Sequence, residues 1–123
     1  MRVAGFGFRA GAGTGSLQAA LHAALTSAGL TTVTALATAT DKAAMLAPLA
    51  QRLALPLHAI PPDRIAAAPR ASPNPRVPAR YGHRSLSEAA CLVAAGPRAR
   101  LLVPATPSPD GQATCAIAES ADP

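Results

Sequence analysis

Between Gly5 and Ser16 the chain reads GFGFRAGAGTGS, five glycines and one arginine in a row of twelve residues. Residues of these types suit one kind of chemistry. Bare backbone amides, the positive end of a following helix and the guanidinium of Arg9 together favour a bound phosphate or carboxylate. Gly5, Gly7, Arg9 and Gly11 are therefore candidate ligand contacts, and Lys42, the single lysine, offers a second cation at the start of the next helical stretch. Farther on, Arg80, His83 and Arg84 lead into SLSE, where Ser85 and Glu88 have the spacing of a capping box. Those three side chains could grip a further anionic group. Glu88 is the candidate general base and Ser85 a candidate ligand donor, although the capping box accounts for both.

Other chemistry finds little purchase. Gly5-x-Gly7-x-x-Ala10 satisfies the dinucleotide fingerprint on paper, yet Gly11, Gly13 and Gly15 should delay the helix, and the nearest acid, Asp41, lies some thirty residues on. No Gly-Lys-Ser/Thr follows, so the loop is not a phosphate loop of the Walker type. A nucleotide-binding module remains an alternative. His22 and His58 stand alone, and Cys91 and Cys115 have neither C-x-x-C spacing nor neighbouring histidines, so no metal site is expected. The cysteines read as small buried thiols.

The elements that must position these residues alternate. Met1–Phe8 reads as an apolar strand. Leu17, Leu21, Leu25 and Ala28 recur at helical spacing, with Ser16 as the expected N-cap and Gly29 as the stop. Thr31–Thr38 suits a strand, Asp41 a cap for a second helix containing Pro48, and Leu55–Ile60 a third strand. From Pro61 to Arg84 six prolines forbid a long helix or a central strand and allow only a turn or two around Asp63–Ala68. A loop that long is commonly functional or disordered. Ser85–Glu88 opens a helix that ends at Gly96, and Arg100–Pro104 and Gln112–Ala118 read as strands joined by TPSPDG.

This pattern predicts an α/β fold: a three-layer α/β/α sandwich with a mixed sheet of about five strands. It forms one domain over residues 1–123, with a Pro- and Arg-rich loop at 61–84 and a frayed tail at 119–123. If the first strands run parallel, GFGFRAGAGTGS, ATATDK and VPATPSP meet at their carboxyl ends, where open sheets of this class bind ligands. Half of the residues are apolar, and the only aromatics are Phe6, Phe8 and Tyr81, so the core must be Leu, Val, Ile and Ala. Net charge is +5. Residues 1–40 contain no Asp or Glu, and residues 61–84 carry five Arg against one Asp, so both stretches favour anions. With no aromatic interleaving and no basic helix, nucleic acid is not the expected partner. No run is long enough to span a bilayer and no signal peptide precedes the first strand, so neither a membrane nor secretion is expected and the cytoplasm is the expected location.

Taken in order, GFGFRAG, ATATDKAAMLAPLAQRLALPL, Ser72–Val77 with Gly82, SLSEAACLVAAG and RLLVPATPSPDGQATCAIAES resemble the cobalamin-biosynthesis family of CobE and the C-terminal domain of CbiG, from Val3 to about Ala118. The resemblance implies a part in building the corrin ring, with a polycarboxylate tetrapyrrole intermediate as ligand, other enzymes of that pathway as partners and no dissociable cofactor. The longer anaerobic-pathway members open a lactone on a ring-contracted precursor, so a precorrin lactone hydrolase is an alternative. The stand-alone domain resembles the aerobic-pathway member and implies binding or hand-over. Thr114 falls where the family has a threonine, which implies a hydroxyl turned toward the ligand. After LLVP many relatives place a lysine, and this chain has Ala105. Physical chemistry points to the same ligand class: a flat apolar ring fringed with carboxylates needs dispersed cations, amide donors and small apolar surface.

Overall fold

A computed structural model of the chain describes residues 1–67 and 85–120. Strand β1 (Arg2–Phe8) pairs in parallel with β2 (Ala35–Ala39), and β2 in parallel with β3 (Leu57–Ile60). On its other side β1 meets β5 (Ala113–Glu119) antiparallel, and β5 meets β4 (Arg100–Pro107) antiparallel. The order β3-β2-β1-β5-β4 is the mixed five-stranded sheet that the sequence implied. Because β4 runs with β1, the carboxyl ends of β1, β2, β3 and β4 share one edge with the start of β5.

Alternation along the strands makes the two faces unlike. Phe6, Phe8, Leu36, Cys115 and Ile117 turn to one face, where α1 (Thr14–Ser27) and α2 (Ala43–Leu53) cover them with Leu17, Leu21, Leu46 and Leu49. The opposite face presents Val3, Ala35, Ala37, Ala116 and Ala118, and α4 (Leu86–Ala95) lies on it with Ala90, Cys91 and Leu92. The short α3 (Pro62–Ala66) brings Ile65 against that second cluster. Three layers result. Small side chains on the second face let α4 approach closely, and at Gly5 they vanish altogether. A Cβ there would stand 2.7 Å from Cys91 N and 2.9 Å from Cys91 Cβ, against helix backbone that cannot swing aside.

Several boundaries differ from the sequence reading. Helix α1 starts at Thr14 with Gly13 as N-cap, so Ser16 is not the cap. Strand β2 starts at Ala35 because β1 starts at Arg2 and earlier residues have nothing to pair with; Thr34 N and Oγ1 both donate to Arg2 O at 2.9 Å. Strand β3 likewise begins at Leu57, two residues past the expected Leu55. Asp41 lies in a 3₁₀ turn, Thr40–Lys42, and neither this turn nor α2 carries a side-chain cap. Helix α2 runs continuously through Pro48. The tail is ordered farther than expected, since Glu119 lies between two strands and pairs with Arg2 and Arg100, and Ser120 N donates to Met1 O. Strand β4 runs three residues past the expected Pro104, and β5 has the expected length but lies one residue later. Helix α4 does end at Gly96, whose φ of 112° suits glycine. Among the described residues no helix is long and apolar enough to cross a membrane.

Gly5→Ala should lower the free energy of unfolding by about 3 kcal/mol or more, because the added methyl meets backbone on the most closely packed face. A shifted denaturant midpoint checks this; an unchanged one contradicts the contact.

Candidate functional site

The shared edge of strand ends gathers most of the residues singled out in the sequence. Strand β1 ends at Phe8, and the chain turns at once, with Ala12 N donating to Arg9 O at 2.9 Å. Arg9 is exposed and its side chain has no hydrogen bond or ion pair among the described residues. Gly11, Gly13 and Gly15 have open space where a Cβ would stand, and none has positive φ. Nothing inside the fold requires them to be glycine. Helix α1 begins behind them with no side-chain cap and no acid in its first turn, which leaves its amino-terminal positive charge uncompensated within the helix.

Lys42 crosses from the β2–α2 connection to the same exit. Its Nζ donates to Phe8 O at 2.6 Å and stands 4.8 Å from the centre of the Phe8 ring. One donor thus holds the end of β1, and the ammonium keeps two more for an incoming acceptor.

On the α4 face, Gly7, Ser85 and Thr114 also come together. Thr114 Oγ1 donates to Gly7 O at 3.3 Å and lies 3.4 Å from Ser87 Oγ, which lies 3.0 Å from Ser85 Oγ. Three hydroxyls therefore line the junction of β1, β5 and the amino end of α4, with Ser87 buried and Ser85 exposed. Ser85 Oγ accepts Glu88 N–H at 3.3 Å, as the capping box requires. The reciprocal half is absent: Glu88 is buried, and its Oε2 accepts Ala105 N–H at 2.9 Å, tying α4 to β4. Gly5 takes no place at this edge, because α4 covers it. His83, with Arg80 and Arg84, lies outside the described residues.

Sequence reasoning missed two groups. Ser87 was hidden in the capping box, although a second hydroxyl within the first turn of the helix was its signal. Asp110 was read only as part of a turn, yet it accepts Ser108 Oγ–H and Ser16 Oγ–H, and Gln112 N–H at 3.1 Å. Those donors hold its carboxyl down at about 2. Burial pushes the Cys91 thiol up to about 12 and raises Cys115 as well, which makes both inert packing residues. No cluster of three His, Cys, Asp or Glu suited to a metal occurs among the described residues. Away from the edge, a groove of about 270 Å³ between α3 and the end of α4 is lined by Arg64, Ala67, Leu92, Val93, Gly96 and Pro97. Its volume is below the range usual for drug-sized ligands, and one cation serves it.

Residues 2–118 match the family model described as cobalamin synthesis G C-terminus. Among solved structures, cobalamin biosynthesis protein chiG from Agrobacterium tumefaciens is 40% identical, with TM-score 0.80 over 99% of this chain and 100% of that one. CobE, a protein from the cobalamin (vitamin B12) biosynthetic pathway, is 31% identical, with TM-score 0.77 over 96% of this chain and 89% of its own. A cobalamin biosynthesis protein G homolog from Sulfolobus solfataricus shares the fold at 14% identity and TM-score 0.74; this chain spans 37% of its length. No curated protein matches.

Two outcomes follow from the hydrogen bonds at this edge. Glu88→Ala should destabilise the fold by about 1–3 kcal/mol, since it strands the Ala105 amide, and Glu88→Gln, which keeps an acceptor, should cost less; chemical denaturation of both variants measures the difference. Asp110 binds its proton more weakly folded than unfolded. Its contribution to stability is thus complete above the usual carboxyl value of 3.8 and is lost as pH falls from there toward about 2. Asp110→Asn should flatten that part of a melting temperature profile against pH.

Proposed function

The chain belongs to the cobalamin synthesis G C-terminus family and is a cobalamin-biosynthesis protein of the CbiG/CobE group, and on that premise we propose that it binds a corrin-ring precursor by its carboxylate fringe at the carboxyl edge of the sheet. One observation carries the reading: glycines with open space at their Cβ positions precede a helix start without a side-chain cap, Arg9 beside them has no side-chain partner among the described residues, and Lys42 Nζ sits on the carbonyl that ends β1. A carboxylate on that spot meets amide donors and two cations, against which stands the Asp110 carboxylate held by Ser16. The hydroxyls of Ser85 and Thr114, on the α4 face of the same edge, offer a second point for binding an acceptor. The flat ring can lie against glycine backbone because no side chain lifts it away.

Binding or hand-over is preferred to lactone hydrolysis because Glu88, the candidate base, has its carboxylate engaged by Ala105 N–H within the fold. A dinucleotide is disfavoured by the antiparallel β4–β5 hairpin, which occupies the place of the second mononucleotide-binding half. The resemblance to CobE, 31% identical, supports the aerobic branch as the setting, with another enzyme of the pathway receiving the ring.

Titration with cobyrinic acid, followed by visible absorbance, tests this. Arg9→Ala should weaken uptake about tenfold, as expected for one charge-assisted contact. Gly15→Ala and Gly11→Ala should each stabilise the free protein, by about 0.4–1 kcal/mol, and still weaken uptake. Alanine variants that stabilise the fold and bind the ring as well as wild type would show the glycines to be an ordinary connection.

A further inference from the structure

The loop between β1 and α1 is held at both ends by one turn of the β4–β5 hairpin. At its start Arg9 N donates to Gln112 O at 3.0 Å, and at its far end Ser16 Oγ donates to Asp110 Oδ2. Asp110 Oδ1 joins the two anchors by accepting Gln112 N–H at 3.1 Å. The turn itself is stiff. Ser108 is buried, its N–H donates to Ala113 O at 2.8 Å, its hydroxyl donates to Asp110, and its oxygen accepts Ala113 N–H at 3.1 Å.

Ser16 is not needed by its own helix. Gly13 is the N-cap, Ser16 sits inside the first turn, and alanine there would suit a helix better. Its side-chain hydroxyl bonds across to the hairpin instead. An exposed bond of that kind adds little to global stability. It matters more to a glycine-rich loop, which loses the most conformational freedom on being ordered and otherwise charges that loss to the ligand.

We propose that Ser16 and Asp110 are positioning residues for the bound ring: together they clamp the glycine loop at a fixed span, so that Arg9 and the first amides of α1 are already in place when a carboxylate arrives. This rests on the binding function proposed above. Neither residue need touch the ligand, and each acts through the loop. Asp110 also places a negative charge near the anion site, which simple attraction of the ligand would not favour and the clamp accounts for.

The experiment compares wild type, Ser16→Ala, Asp110→Ala and the double variant by three readouts: melting temperature, amide hydrogen exchange across residues 10–15, and affinity for cobyrinic acid. Ser16→Ala should leave the melting temperature unchanged or raised, speed loop exchange roughly tenfold, and weaken the ring about tenfold. The double variant should bind no worse than the weaker single variant, since either change opens the same clamp. Unchanged exchange in Ser16→Ala, additive losses in the double variant, or full affinity with a loosened loop would each overturn the proposal. If wild type takes up no ring, the binding function fails, and loop exchange alone still decides whether the clamp exists.

Discussion

The hydroxyl cluster at the carboxyl edge of the sheet depends on how closely α4 lies against β1. The contact is made at Gly5, where helix backbone occupies the space of a side chain. It is possible because alternate residues of β1, β2 and β5 on that face are Val3, Ala35, Ala37, Ala116 and Ala118, and the bulk of the sheet, Phe6, Phe8, Leu36 and Ile117, is turned the other way. A helix standing farther off would carry Ser85 and Ser87 out of reach of Thr114 and would separate Glu88 from Ala105 N. Packing geometry in the interior thus sets the spacing of hydroxyls at the rim.

The opposite layer prepares the rest of the edge. Phe8, packed under α1, ends β1 with a carbonyl that Lys42 caps, so the ammonium is both a fastener and a fixed charge. Beyond it the backbone is bare and, among the described residues, no side chain caps the helix start, which leaves amide donors for an incoming acceptor. The proposed polycarboxylate macrocycle would bring acids to the cations and amides and a flat face to the glycines. The clamp at Asp110 joins the hairpin to this same loop, so all three layers meet in one ligand edge.

Local sequence made the alternation of elements, the mixed sheet and the helix end at Gly96 legible, because periodicity and glycine punctuation are local signals. The edge where GFGFRAG, ATATDK and VPATPSP meet followed once the strands were taken as parallel. What escaped was set by partners far along the chain. The threonines before Ala35 look like a strand, yet Thr34 bonds only to Arg2, where β1 begins, and Thr31 and Thr32 lie outside the ladder. Glu88 has the spacing of a reciprocal cap and finds a better donor in Ala105. Gly5 looks like part of the ligand loop, and only the placement of α4 shows it to be a packing position. Asp110 in SPDG has the composition of any turn, and its bond to Ser16 crosses most of the chain.

The central claim is that the ring's acids dock where β1 gives way to α1. Backbone amide chemical shifts followed by NMR during addition of cobyrinic acid test it most directly. The account predicts that the largest changes fall on Gly7, residues 9–16, Lys42, Ser85–Ser87 and Thr114, with the α3–α4 groove around Arg64 and Gly96 little affected. Shifts concentrated in that groove, or scattered evenly over the surface, would contradict it.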